Sequence, residues 1–145
     1  MSKLQTELSL AKLVTREALV ALESIKPEST HYKFDESIPR ELKADTDRLL
    51  EDIILKRLLP TGFPVLSEEV GKIGECDDNE LYWVVDPLDG TVNFMRSLAP
   101  CAVSVALCQG ETPVFGVIGE FPSGKIAWGG SYLGAFVEFQ AQRRS

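Results

Sequence analysis

The spacing of apolar residues changes character partway along this chain, and that change limits its fold more than any other feature. Before Phe63 they recur at helical spacing, and after it they come in short β-rich runs. Leu4, Leu8, Ala11, Ala18, Leu22 and Ile25 predict a long amphipathic helix stopped by Lys26-Pro27. "ADTDRLLEDIILKRLLP" predicts a second helix, with Asp45 as N-cap and Asp47 in the first turn. Leu49, Leu50, Ile53, Ile54 and Leu58 would form its buried face, and Pro60-Thr61-Gly62 its stop. Between the helices, Pro27 to about Lys43 is polar, has two prolines and shows no period, which predicts a long mobile loop. Then come "FPVLSEE", "LYWVV", "CAVSVALC", "TPVFGVIGEF", "GKIAWGG" and "LGAFVEF", separated by Gly, Pro, Asn and Asp. Two helices followed by a run of strands predict an α+β fold, with helices on one face of a mostly antiparallel sheet. The length, 145 residues, predicts one domain over 1–145, and there is no internal repeat.

Composition narrows the function. At 44% apolar and 26% charged the chain can bury a core, and no run approaches the length of a membrane span. The amphipathic start lacks the apolar centre of a secretory signal, so the expected address is cytoplasmic. Fifteen Lys and Arg against 22 Asp and Glu give a net charge of −7. That argues against a nucleic-acid polymer as partner, which needs a basic face. It leaves room for a phosphorylated small molecule if cations sit between acid and anion. Cys76, Cys101 and Cys108 have no CxxC spacing and His31 is the lone histidine, which predicts free thiols rather than zinc or a disulfide framework.

The chemistry concentrates in "WVVDPLDGTVNF", Trp83 to Phe94. A buried strand over Leu81–Val85 runs into Asp86, which Pro87 keeps extended. Asp86-Pro87-Leu88-Asp89 fits a turn that can aim both carboxylates and the Leu88 carbonyl at one point. Such oxygen ligands suit a hard cation such as Mg²⁺. Gly90 allows close backbone approach, and Thr91 adds a hydroxyl where a helical turn could begin and offer N–H groups to an anion. "PVLSEEV" repeats the pattern, since Glu68 and Glu69 also follow an apolar run, and neighbouring strands could bring Glu68 to Asp86. Each piece has a plainer reading: an Asp-Gly hairpin, a solvated Glu-Glu turn, and an Asp47 that only complements a helix dipole. Together they fit metal-assisted phosphoryl hydrolysis, in which two ions about 3.5–4 Å apart polarise phosphate and generate the nucleophile from water.

At these residues the chain resembles the inositol monophosphatase family of Mg²⁺-dependent, lithium-sensitive phosphatases, which includes the 3′(2′),5′-bisphosphate nucleotidases. "WVVDPLDGTVNF" matches its metal signature, "LSEE" lies upstream at similar spacing, and "ADTDRLLE" resembles the start of its second helix. The resemblance implies that Glu68, Asp86 and the Leu88 carbonyl ligate a first Mg²⁺. Asp86 would bridge to a second ion, also held by Asp89. Thr91, supported by Asp47 and helped by Glu68, would activate the attacking water. Asp89, Gly90 and Thr91 would hold the substrate phosphate. Asp47 is preferred to Asp45 for its Asp-x-x-x-Glu spacing to Glu51.

Family members are longer, with a second α/β region that supplies a further metal-binding Asp after a Trp. Here the two tryptophans are followed by Val84 and Gly129, so the resemblance is to the amino-terminal half. The implied partners are a small phosphate ester, of inositol monophosphate or 3′-phosphoadenosine 5′-phosphate type, and a second copy in a homodimer or other self-association. No membrane partner is expected. A non-catalytic remnant or binding module that keeps the fold and some metal affinity is the alternative.

Overall fold

The computed structural model describes residues 2–25, 40–95, 101–131 and 133–139. Among the described residues two long helices, α1 (Ser2–Ser24) and α2 (Arg40–Leu58), precede seven strands. These are β1 (Val65–Ser67), β2 (Gly71–Ile73), β3 (Leu81–Asp89), β4 (Cys101–Gln109), β5 (Thr112–Phe121), β6 (Lys125–Gly130) and β7 (Gly134–Phe139), with a short helix α3 (Thr91–Met95) after β3. One sheet holds all seven in the order β2-β1-β3-β4-β5-β6-β7. Every pair is antiparallel except β1 with β3, which is parallel. The expected α+β architecture is the one observed.

Alternation along the strands decides which face the helices cover. Cys101, Val103, Val105 and Leu107 of β4 are buried while their even-numbered neighbours are half-buried. In register with them, Phe115 and Val117 of β5 and Trp83 and Val85 of β3 point the same way and are buried. Ala11, Val14, Ala18, Leu19 and Leu22 of α1 and Leu50, Ile54 and Leu58 of α2 complete this core. Gly119 lets α1 come close, since a Cβ there would meet the Thr15 methyl at 2.5 Å. Trp83 ties the core to the end of α2. Its indole N–H donates to Thr61 Oγ1 at 3.0 Å, and its ring packs against Phe63 and Phe115. The opposite face of the sheet has no helix among the described residues, and Ile118 and Val137 on it are 51% and 58% exposed.

Several local expectations change. α2 begins at Arg40, so Asp45 is not its N-cap; it lies inside the helix, exposed, beside Arg48 at 3.4 Å. Asp47 accordingly sits beyond the first turn. Leu49 is not on the buried face but 46% exposed, because the acids Asp47 and Glu51 occupy that face instead. The stretch from Asp86 to Asp89 is no reversing turn: β3 continues through it with a bulge, and Asp89 still pairs with Ala102. The apolar-run criterion also missed β2, which is only three residues long and pairs with β1. Residues 26–39, the greater part of the expected mobile loop and the position of His31, lie outside the described residues. Among the described residues no helix is long and apolar enough to cross a membrane.

Candidate active site

The parallel pairing of β1 and β3 builds the site. Because the two strands run the same way, the acids that follow each of them emerge at one end of the sheet. Ser67 pairs with Val85, and the Glu68 amide donates to the Val85 carbonyl at 3.1 Å, which sets Glu68 beside Asp86. The bulge that follows turns Asp89 into the same region. Gly90, at φ 88°, then takes a left-handed conformation that a side chain would strain. That twist releases the chain from the sheet and starts α3 at Thr91, where the sequence placed a helical turn.

The result is a cleft of about 460 Å³ lined by Ala44, Asp47, Glu68, Glu69, Asp86, Leu88, Asp89, Gly90, Thr91 and Asn93. It gathers every residue that sequence reasoning placed in the site. Thr91 is buried, and its hydroxyl lies 2.9 Å from Asp47 Oδ1 and 3.1 Å from the Leu88 carbonyl oxygen. A hydroxyl has one proton, so it can donate to only one of these acceptors at a time. Asp47 is itself 5% exposed, carried from α2 across the end of the sheet.

Asp86 carries the clearest electrostatic mark. Burial, a hydrogen bond with the Glu68 carboxyl, and the charges of Glu68 and Asp89 push its pKa from the ordinary 3.8 up to about 6. Asp86 therefore holds a proton to higher pH than an ordinary carboxyl, and a cation entering beside it would displace that proton. Burial, and to a lesser extent the charge of Asp89, also push the nearby Cys101 thiol up to about 11, which leaves it protonated and unreactive. None of the described residues lining the cleft is Lys or Arg. Carboxylates and a carbonyl around such a space form an all-oxygen donor set of the kind hard divalent cations take. Among the described residues no three acidic, His or Cys side chains already close into a metal cage. Mg²⁺ does not require one, since it keeps several waters and takes one or two carboxylates. The donors therefore fit Mg²⁺.

Some contributors were not assigned from sequence. Ala44, Glu69 and Asn93 line the cleft, Asn93 from within the first turn of α3. Glu51, 3% exposed, reaches from α2 to the turn after β1, accepting from Ser67 Oγ at 2.5 Å and from the Val70 amide at 3.1 Å. Its spacing of four from Asp47, on a helix face otherwise apolar, was the available signal.

A sheet end carrying these acids, under two helices, belongs to a known class. The sequence model of the Inositol monophosphatase family matches residues 3–144, and the chain belongs to that family of phosphatases. The "Fructose-1,6-bisphosphatase/inositol-1-monophosphatase" of Thermococcus kodakarensis is 41% identical over 103 residues, covering 68% of this chain and 40% of the relative. The protein of the same name from Aquifex aeolicus is 33% identical over 116 residues, covering 78% of this chain and 41% of its own length. The solved inositol monophosphatase from Anabaena superposes on 93% of the chain with a TM-score of 0.76 at 28% identity, over 48% of its own length. The extragenic suppressor protein from Bartonella henselae gives 0.74 at 26% identity, over 91% of this chain and 51% of its own. The chain thus spans two-fifths to one-half of these four proteins.

Proposed function

We propose that this chain carries the metal-binding half of a Mg²⁺-dependent phosphomonoesterase site, and that its substrate is a small phosphate ester. The observation that carries the reading is the meeting of Asp86 and Glu68 from two parallel strands, joined by Asp89 in a cleft whose described lining has no Lys or Arg. Glu68, Asp86, Asp89 and the Leu88 carbonyl would hold the Mg²⁺. Bound there, the ion supplies charge neutralisation for the phosphate and acidity for a water. Asp47 accepts a hydrogen bond from the Thr91 hydroxyl, which turns the hydroxyl's lone pairs toward the cleft to orient a water; as that water's proton passes to the Thr91 oxygen, the Thr91 proton would move on to Asp47. Glu68 is a second acceptor for that water's proton. The N–H groups at Gly90 and Thr91, where α3 starts, would receive phosphate oxygens. The names of the relatives favour inositol 1-phosphate and fructose 1,6-bisphosphate as the esters to try, beside 3′-phosphoadenosine 5′-phosphate. One domain over 1–145, a cytoplasmic address and self-association complete the reading. Exposed Phe136, Val137 and Phe139 on the edge strand β7 support the last of these.

The test is phosphate release from these three esters by the purified chain, with and without Mg²⁺, and with Asp86→Asn as control. Mg²⁺-dependent release that disappears in Asp86→Asn is the expected result. Asp86-dependent metal binding without release from any ester would favour the second reading, a non-catalytic binding module.

A further inference from the structure

We propose that Glu51 is a positioning residue that sets the Glu68 carboxylate opposite Asp86, an inference that rests on the reading of the cleft just given. Glu51 does not line the cleft, so it acts on bound ions only through other residues. One of its carboxylate oxygens, Oε2, accepts two hydrogen bonds, from the Ser67 hydroxyl at 2.5 Å and from the Val70 amide at 3.1 Å. Those two partners bracket Glu68 and Glu69 in the chain. The acids are thus held at both ends of their turn by one buried group, while Glu68 has in addition its own amide bond to Val85.

The geometry of α2 shows why this matters. Asp47 and Glu51 are one helical turn apart, both almost fully buried, and both reach past the core to the end of the sheet. Asp47 bonds the Thr91 hydroxyl after β3, and Glu51 bonds the turn after β1. A single rigid helix therefore fixes the relative position of the two acid-bearing segments. A buried carboxylate is costly to keep, and one that served only the core would be better replaced by an apolar side chain. What this one does is define the separation of Glu68 from Asp86, the quantity on which joint metal ligation depends. Groups that orient metal ligands in this way commonly change metal affinity about 10–100-fold when removed.

The experiment titrates Mn²⁺ into the full chain, following free Mn²⁺ by its paramagnetic resonance signal, and measures amide exchange at Val70 in parallel. Glu51→Ala is expected to weaken Mn²⁺ binding about tenfold or more. It should also lose protection at Val70 while the amides of β4 and β5 keep theirs. Glu51→Gln retains an acceptor oxygen and should restore most of the affinity, a rescue that a general loss of core stability would not give. Ser67→Ala, which removes one of the two bonds and is the milder change should Glu51→Ala not fold, should weaken binding about threefold, a smaller loss than removing the whole carboxylate. Asp86→Asn separates the two levels of the argument. If it abolishes binding while Glu51→Ala binds as tightly as the parent, the positioning role is wrong and the cleft reading stands. If Glu51→Gln is as damaging as Glu51→Ala, charge rather than position matters and the inference is likewise overturned. If the parent shows no Asp86-dependent binding, the cleft reading falls and takes this inference with it.

Discussion

At one end of the sheet burial and the neighbouring Glu68 carboxyl raise the Asp86 pKa; at the other, Glu80 is hydrogen-bonded to Asp77, which with its charge raises the Glu80 pKa above its usual value. Both are pairs of acids beside strand ends, and the second lies near the larger cavity. That cavity, about 600 Å³, is lined by Pro64, Val65, Leu66, Tyr82 and the acids Asp77, Asp78 and Glu111, with Lys72 among them. What differs is how the backbone delivers the acids. Glu80 and Asp77 sit in an exposed connection between β2 and β3, where water screens them. Asp86 and Glu68 leave two parallel strands side by side, burial is the first cause of the shift at Asp86, and Thr91 at the start of a helix is set against the same space. Neither the size of a cavity nor the number of acids near it locates chemistry here. Strand direction does.

The largest effect is expected on β3, which runs between the two ends. Trp83→Ala removes a fully buried ring, its two aromatic neighbours' contacts and its bond to Thr61. It should cost about 3–5 kcal/mol in a denaturant titration, and both ends should lose order together. A loss confined to one end would show that they are not built on a common strand. Next, Asp86→Asn should reduce Mg²⁺-dependent turnover or metal affinity at least about 100-fold, whereas Asp77→Asn at the other end should leave both unchanged. Equal losses would erase the distinction drawn here. Thr91→Val should lower turnover by about 100-fold at the water-activation step with little change in Mn²⁺ affinity, as kinetics and titration side by side would show.

The smallest effect is one of pH. A carboxyl with a higher pKa folded than unfolded holds its proton more tightly in the fold, so ionising it weakens the fold. For Asp86, raised from 3.8 to about 6, the contribution is present below about 4 and is lost as pH rises through about 6. Without metal, Asp86→Asn should therefore melt a few degrees above the parent at pH 7.5, and the gap should close near pH 4. Added Mg²⁺ should stabilise the parent and not the variant. Asp77→Asn, in its solvated setting, should show no such gap, and a gap of equal size there would remove the electrostatic contrast between the ends.

The contrast also explains which features could be read in the sequence. Six of the seven strands announce themselves as apolar runs between Gly, Pro, Asn and Asp, and the acids at the site follow two of those runs directly. β2 is too short for periodicity to register. The start of α2 at Arg40 is hidden because "RELK" has no apolar spacing and Asp45 is a good cap; the helix instead extends upstream and leaves Asp45 solvated. Leu49 misleads for a related reason. The face it was expected to share carries Asp47 and Glu51, whose partners Thr91 and Ser67 lie far away in sequence. Parallel pairing of β1 with β3 inside an otherwise antiparallel sheet is long-range and leaves no local trace, although it is what brings Glu68 to Asp86. The residue types of the site and their convergence were therefore legible, and the parallel pairing that achieves it was not.

The most direct test of the central claim is a calorimetric titration of Mg²⁺ into the chain near pH 6 in two buffers of different ionisation enthalpy, which counts the protons released on binding. Asp86, raised to about 6, should surrender the proton it holds near that pH as the ion enters, so binding should release a fraction of a proton up to about one, and Asp86→Asn should show neither the binding nor the release. Binding with no proton released, or binding unchanged in Asp86→Asn, would contradict the placement of the metal at this pair.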